Sequence, residues 1–174
     1  MSAIPKSYLD IINPLIDMAR QFLEEGQTLA PIAFVGNFEN AVTIPIAMEA
    51  SSPEAKLESA NTVRTVAELY DADFIFLLME AWTLRQDKVR EMERILERYG
   101  SIGASPYAVD IVSMALETRH GVWMAQPVVK PKGASKKKRT FDNPNFRQYS
   151  DIQGRFVDLL PKKEGAASQK ASLH

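Results

Sequence analysis

The sequence predicts an α+β domain with a mixed, largely antiparallel sheet of about five strands, packed helices and a flexible basic C-terminal segment. First, the 174 residues are 45% hydrophobic and 25% charged, a composition typical of one globular core. Second, segments with helical spacing of apolar residues alternate with pairs of short β-rich runs. Third, the composition becomes rich in Lys, Gly, Ser and Pro from Lys130 onward, which marks the end of that core.

The first predicted element is an amphipathic helix in SYLDIINPLIDMARQFLEEG, which ends at Gly26. Pro14 removes one helical hydrogen bond, so the helix either kinks there or restarts with Asn13 as its cap; we favour the kink. The segments PIAFV and AVTIPI flank the turn residues GNFEN and predict a hairpin. Because Pro45 has no N–H to donate, its strand is expected at a sheet edge.

A second helix is predicted in SSPEAKLESANTVRTVAELY, where a serine cap precedes Pro53 and Glu54. Residues Phe74 to Met79 are apolar on both alternating faces, which predicts a central strand covered on both sides. A third helix follows in QDKVREMERILERYG, and its apolar residues at helical spacing are Val89, Met92, Leu96 and Tyr99.

A second hairpin is predicted in YAVDIVSMALETRHGVWMAQPVV, with its turn around Arg119 to Gly121. The segment SDIQGRFVDLL has apolar residues on one helical face and predicts a last helix. The chain is therefore divided into an α+β core domain (1–129), a basic loop or linker (130–140), a C-terminal extension packed on the core (141–160) and a disordered tail (161–174).

Composition excludes several classes of function. The chain has no cysteine and two histidines, which removes disulfides, thiolate metal sites and multi-histidine centres. Gly-rich phosphate loops, helical His pairs and nucleophile elbows are absent from the sequence, so we expect no cofactor and no metal. It contains neither a long apolar run nor a signal-like N-terminus, so we expect no membrane association and a cytoplasmic location.

The segments LAPIAFVGNFENAVTIPI, FIFLLMEAWTL and YAVDIVSMALETRHGVW resemble a group of small uncharacterised proteins from phages and bacterial genomes. The similarity covers roughly residues 5 to 130. It implies the fold, with a strand that ends in MEAW, and a phage or prophage origin in a bacterial or phage-infected cell. It assigns no residue a function.

Glu80 is the weak candidate for a catalytic residue, because it follows an apolar strand and shares a face with Trp82. As a general acid or metal ligand it would need a partner such as Asp73, Asp110 or Glu49. The favoured interpretation is structural. In it, Glu80 accepts hydrogen bonds from loop backbone or pairs with Arg85, while Trp82 closes the core.

Two further features have competing interpretations. His120 could be a lone general base, but its position before Gly121 favours a role in the turn. Trp123 and Met124 alternate along a strand, so one points to the core and the other covers a helix or a partner chain.

The basic segment is the strongest candidate for binding. Residues 1 to 100 contain 9 Lys/Arg against 16 Asp/Glu, whereas residues 130 to 174 contain 11 against 4. Aromatic residues that could stack on bases follow the cations, namely Phe141, Phe146 and Tyr149, with Arg147 among them. The candidate nucleic-acid-binding residues are Lys130, Lys132, Lys136, Lys137, Lys138 and Arg139. The competing interpretation is a solvated loop that folds back on the acidic N-terminal part.

Three functions follow from these patterns. The leading hypothesis is a non-catalytic interaction or assembly protein whose partner is another protein or a second copy of the chain. The first alternative is an accessory protein that binds nucleic acid non-specifically through its basic segment. The second alternative is a small carboxylate-dependent enzyme centred on Glu80.

Overall fold

The computed structural model describes residues 3–149 and 159–161 of the chain. It contains three α-helices and a six-stranded antiparallel sheet, which confirms the α+β class. The chain divides into two compact units. Unit 1 comprises Met1–Ala30, Leu78–Met114 and Met124–Arg147, and unit 2 comprises Pro31–Leu77, Ala115–Trp123 and Gln148–His174.

In chain order the strands are β1 (Ile32–Asn37), β2 (Val42–Ala47), β3 (Phe74–Leu84), β4 (Ala108–Thr118), β5 (Gly121–Ala125), β6 (Lys130–Pro131), β7 (Arg139–Thr140) and β8 (Arg147–Tyr149). The main sheet has the strand order β2-β1-β3-β4-β5-β8. The two short strands β6 and β7 pair separately. The first five residues of β3 are buried and the strand has a neighbour on each side, as its apolar sequence predicts.

In unit 1, helix α1 (Lys6–Glu24) continues through Pro14, so the alternative of a restart at Asn13 does not occur. Its buried side chains repeat at helical spacing and are Tyr8, Ile12, Ile16, Ala19 and Leu23. A 3-10 helix (Gln86–Glu91) leads into α3 (Met92–Tyr99), which ends at Gly100 with a φ of 81°. The left-handed conformation at this position favours glycine.

In unit 2, β1 and β2 form the predicted antiparallel hairpin, with Pro45 opposite Phe34. Strand β2 lies at the edge of the sheet, which confirms the position predicted from its proline. Helix α2 (Pro53–Leu69) begins at the predicted serine cap, because the Ser52 hydroxyl accepts a hydrogen bond from the Ala55 N–H at 3.1 Å.

The start of β3 packs closely against β1 within unit 2. Gly36 lies against the ring of Phe74, and a Cβ built on Gly36 would overlap that ring. The Asp73 carboxylate accepts a hydrogen bond from the Phe38 N–H at 2.6 Å and pairs with Arg119. These contacts leave room for no side chain at position 36.

The predicted C-terminal helix falls almost wholly on residues 150–158, which lie outside the described residues, as do residues 162–174 of the predicted tail. The N–H groups of Leu159 and Leu160 donate to the Glu117 carboxylate at 3.0 and 3.1 Å. Leu159 is buried. None of the helices in the described residues combines the length and hydrophobicity that a membrane span requires.

Candidate functional site

Glu80 lies on the second half of β3, in unit 1. One carboxylate oxygen accepts a hydrogen bond from the Leu29 N–H at 2.8 Å, and the other accepts one from the Arg139 guanidinium at 2.6 Å. Arg85, the cation predicted to pair with Glu80, pairs instead with Asp87 at 2.8 Å. Since both oxygens of Glu80 are engaged by the protein itself, the geometry favours a structural role over catalysis.

The three acids considered as partners of Glu80 are in different places. Asp110 lines the same cavity as Glu80. Asp73 and Glu49 belong to unit 2, where the carboxylate of Asp73 pairs with Arg119. No group of three metal-ligating side chains occurs in residues 3–149 and 159–161.

The cavity beside Glu80 has a volume of about 400 Å³ and lies within unit 1. Its lining residues are Glu80, Ala81, Trp82, Asp110, Ile111 and Arg139. The prediction that Trp82 closes the core is wrong, because this residue is 61% exposed. The sequence carries one signal for this change: the continuous apolar run ends at Met79, and the polar residues Glu80 and Thr83 interrupt the second half of the strand.

Trp82 is nevertheless held in place. Its ring packs against Gly103, where an added Cβ would lie 2.9 Å from Cε3 of the indole. Real side chains do not tolerate so short a contact, so glycine is required for this packing. The contact between Trp82 and Gly103 was not predicted from the sequence.

Three of the six candidate nucleic-acid-binding cations are paired with carboxylates of unit 1. Lys130 pairs with Asp142 at 2.7 Å, and Arg139 pairs with Glu80. Lys132 pairs with Glu24, also at 2.7 Å. These ion pairs hold the two short strands β6 and β7 in place within unit 1. The base of the basic segment, where these strands lie, therefore folds back on acidic residues.

Glu24 and Arg20 on α1 anchor the same segment. The hydrogen bonds from Lys132 and from the Thr140 hydroxyl hold the pKa of the Glu24 carboxyl below its ordinary value. Arg20 donates to the Phe141 carbonyl at 3.0 Å and stacks over the Phe141 ring. Phe141 is buried, so the prediction that it could stack on bases is wrong.

The other three cations occupy the turn of the β6–β7 hairpin. Lys136, Lys137 and Lys138 are all exposed, and none of them forms an ion pair within the described part of the chain. The Lys137 backbone lies close to Gly26 at the end of α1, which places this turn beside the negative end of a helix.

Helix α3 exposes the apolar stripe that its sequence predicts. Among its eight residues only Ile95 is buried. Val89 in the preceding 3-10 helix is 48% exposed, and Met92 and Leu96 are 42% and 41% exposed. Periodicity identified this stripe, but it could not show that the stripe faces solvent.

The remaining candidates have structural positions. His120 lies in the turn between β4 and β5, where its N–H donates to the Thr118 hydroxyl at 2.9 Å. Its carbonyl accepts a hydrogen bond from Gln148. Trp123 is buried whereas Met124 is half-buried, which confirms that they point to different sides of β5.

No family model, curated protein or solved structure matches this chain. The resemblance to small phage and bacterial proteins therefore stays a prediction.

Proposed function

We propose that this protein is a non-catalytic interaction or assembly protein that docks a partner on the apolar stripe of Val89, Met92 and Leu96. An amphipathic helix ordinarily turns its apolar stripe inward, because burial removes that surface from water. Here the stripe is exposed while α3 buries only Ile95. This exposed stripe is the observation that supports the proposal.

The charges beside the stripe indicate the chemistry of the partner. At 100° per residue, Glu93 and Glu97 lie along that edge of the stripe of Met92 and Leu96 which is turned away from the protein. Both glutamates are exposed. Pairing two copies of α3 antiparallel would bring these acidic edges together, which costs free energy. The matching partner is an amphipathic helix with basic residues along one edge of its apolar face.

The sequence resemblance suggests the cellular setting of this partner. In this proposal the protein acts in the cytoplasm of a bacterial or phage-infected cell, where a phage or prophage gene product assembles with another protein. A second copy of the chain is the competing partner. The two differ in the mass of the complex that they form.

The test is photo-crosslinking in cells that carry the native gene. A benzoylphenylalanine at position 96 is expected to give at least tenfold more crosslinked product than one at position 57. Leu57 is the matched control, because it is an apolar residue 54% exposed on a different helix. Met92→Glu should abolish the product at position 96, since it places a charge in the stripe.

Equal crosslinking at positions 96 and 57, or none at position 96, would refute docking on α3. A product of twice the 19.5 kDa chain mass would identify a second copy as the partner. A product of another mass would identify a different protein.

A second function is favoured by the arrangement of the basic hairpin. We propose that Lys136, Lys137 and Lys138 bind the phosphates of nucleic acid without sequence preference. The cations at the base of the hairpin are neutralised by carboxylates, whereas these three are exposed at its turn. Lysines in such a position gain binding energy by releasing counterions from the phosphate backbone.

Salt dependence tests this second function. Each phosphate contact contributes about −0.9 to the slope of log K against log salt, so three lysines predict a slope of about −2.7 on duplex DNA. Anisotropy of a labelled duplex between 50 and 200 mM salt measures this slope. Replacing all three lysines by glutamine should abolish binding, whereas the control Lys130→Gln should leave the slope unchanged. Absence of binding at 50 mM salt, or an equal loss in the control, would exclude this function.

A further inference from the structure

Trp82 is a large aromatic side chain fixed at the surface. It is 61% exposed, yet its ring is in contact with Gly103. Gly103 is not among the residues that line the 400 Å³ cavity, whereas Trp82 is. Trp82 therefore lines the cavity while its ring is supported by Gly103. Such a preorganised aromatic surface loses little conformational freedom when it binds a ligand.

The charges of the cavity are unbalanced. Arg139 and Glu80 pair at 2.6 Å and neutralise one another. Asp110 is exposed, and its carboxylate makes no hydrogen bond or ion pair within residues 3–149 and 159–161. Its backbone carbonyl accepts a hydrogen bond from Val129, so the main chain at this position is fixed. The cavity thus presents one net negative charge beside an aromatic ring.

We propose that this cavity binds an organic cation, either an alkylammonium or a guanidinium group, between Trp82 and Asp110. The face of an indole attracts a cation through its quadrupole, and a nearby carboxylate adds a direct charge interaction. An anion is disfavoured, because the one cation in the cavity already donates to Glu80. This inference does not depend on docking at α3, since it rests on different residues.

The two tryptophans provide the readout. In a ¹⁵N-correlated spectrum of the full chain, tetramethylammonium is expected to shift the indole N–H of Trp82 and leave that of Trp123 unchanged. Trp123 is the internal control because it is 1% exposed. The titration is run at constant ionic strength against sodium, with Trp82→Phe used for assignment. We expect a dissociation constant in the millimolar range, since exposed cation–π contacts are weak.

Three controls make the result specific. The neutral isostere 3,3-dimethylbutanol should produce no comparable shift, because it has the shape but lacks the charge. Asp110→Asn should weaken tetramethylammonium binding by about two- to fivefold, the range measured for exposed ion pairs. Trp82→Leu should abolish binding. In this variant, binding is monitored through the backbone N–H signals of Ala81 and Asp110.

The source of the cation is distinguished by a second titration. A capped peptide that carries one trimethyllysine is compared with free tetramethylammonium. Tighter binding of the peptide by tenfold or more would assign the site to a polypeptide side chain, and equal affinity would assign it to a small free cation. The proposal is overturned if the neutral isostere shifts Trp82 as strongly, or if 50 mM tetramethylammonium leaves the indole signal unmoved.

Discussion

Gly36→Ala is expected to lower the free energy of unfolding by about 3 kcal/mol, the upper part of the range for overpacking a core. The added methyl group would overlap the ring of Phe74, which is 1% exposed and contacts Phe38 at a centroid distance of 5.4 Å. The ring cannot move away without displacing other buried side chains. Urea unfolding followed by circular dichroism measures the effect.

Two variants separate this overlap from other effects of alanine. Phe74→Leu combined with Gly36→Ala should be less destabilised than the sum of the single changes, since the smaller side chain leaves room for the methyl group. Gly100→Ala adds a methyl group in open space, so it should cost only about 1 to 2 kcal/mol from its left-handed backbone. Stability within 0.5 kcal/mol of wild type for Gly36→Ala would contradict the close packing described here.

Glu80→Ala is expected to lower the free energy of unfolding by about 2 kcal/mol. The change leaves the Leu29 N–H without its acceptor and leaves Arg139 without its carboxylate partner. The side chains of Glu80 and Arg139 are 25% and 26% exposed, so water compensates part of the loss and the full cost of a buried pair does not apply. The unfolding midpoint in urea provides the measurement.

Glu80→Gln is the matched variant, because an amide oxygen can still accept from Leu29 while the charge is lost. We expect it to cost about 1 kcal/mol, close to the value for one exposed charge pair. If Glu80→Ala were as stable as wild type, the structural role would be wrong and the carboxylate-dependent enzyme would again be the better interpretation of this residue. Equal losses in both variants would show that the charge matters and the backbone contact does not.

The sequence was most informative where one local rule decides the structure. Pro45 fixed the edge position of β2, Ser52 fixed the start of α2, and the apolar run from Phe74 predicted the buried half of β3. In each case the deciding property belongs to the residue itself: a missing donor, a capping hydroxyl or a continuous apolar surface.

The surroundings of Glu80 and of the basic segment depend on contacts that the sequence alone could not specify. Lys132 and Glu24 are 108 residues apart, and Arg139 is 59 residues from Glu80, so their pairing follows from how the chain folds back. Strands of two residues such as β6 and β7 are too short to show a period. The exposure of Trp82 likewise depends on where β3 leaves the core.

The proline in strand β2 also affects how this protein behaves when many copies are concentrated together. An edge strand of six residues is long enough for its outer side to act as a template for another chain, and repetition of that step produces fibrils. Pro45 interrupts the row of donors at its middle, so an added strand could not form a continuous ladder. The edge of the sheet formed by β2 therefore carries its own protection against amyloid-like growth.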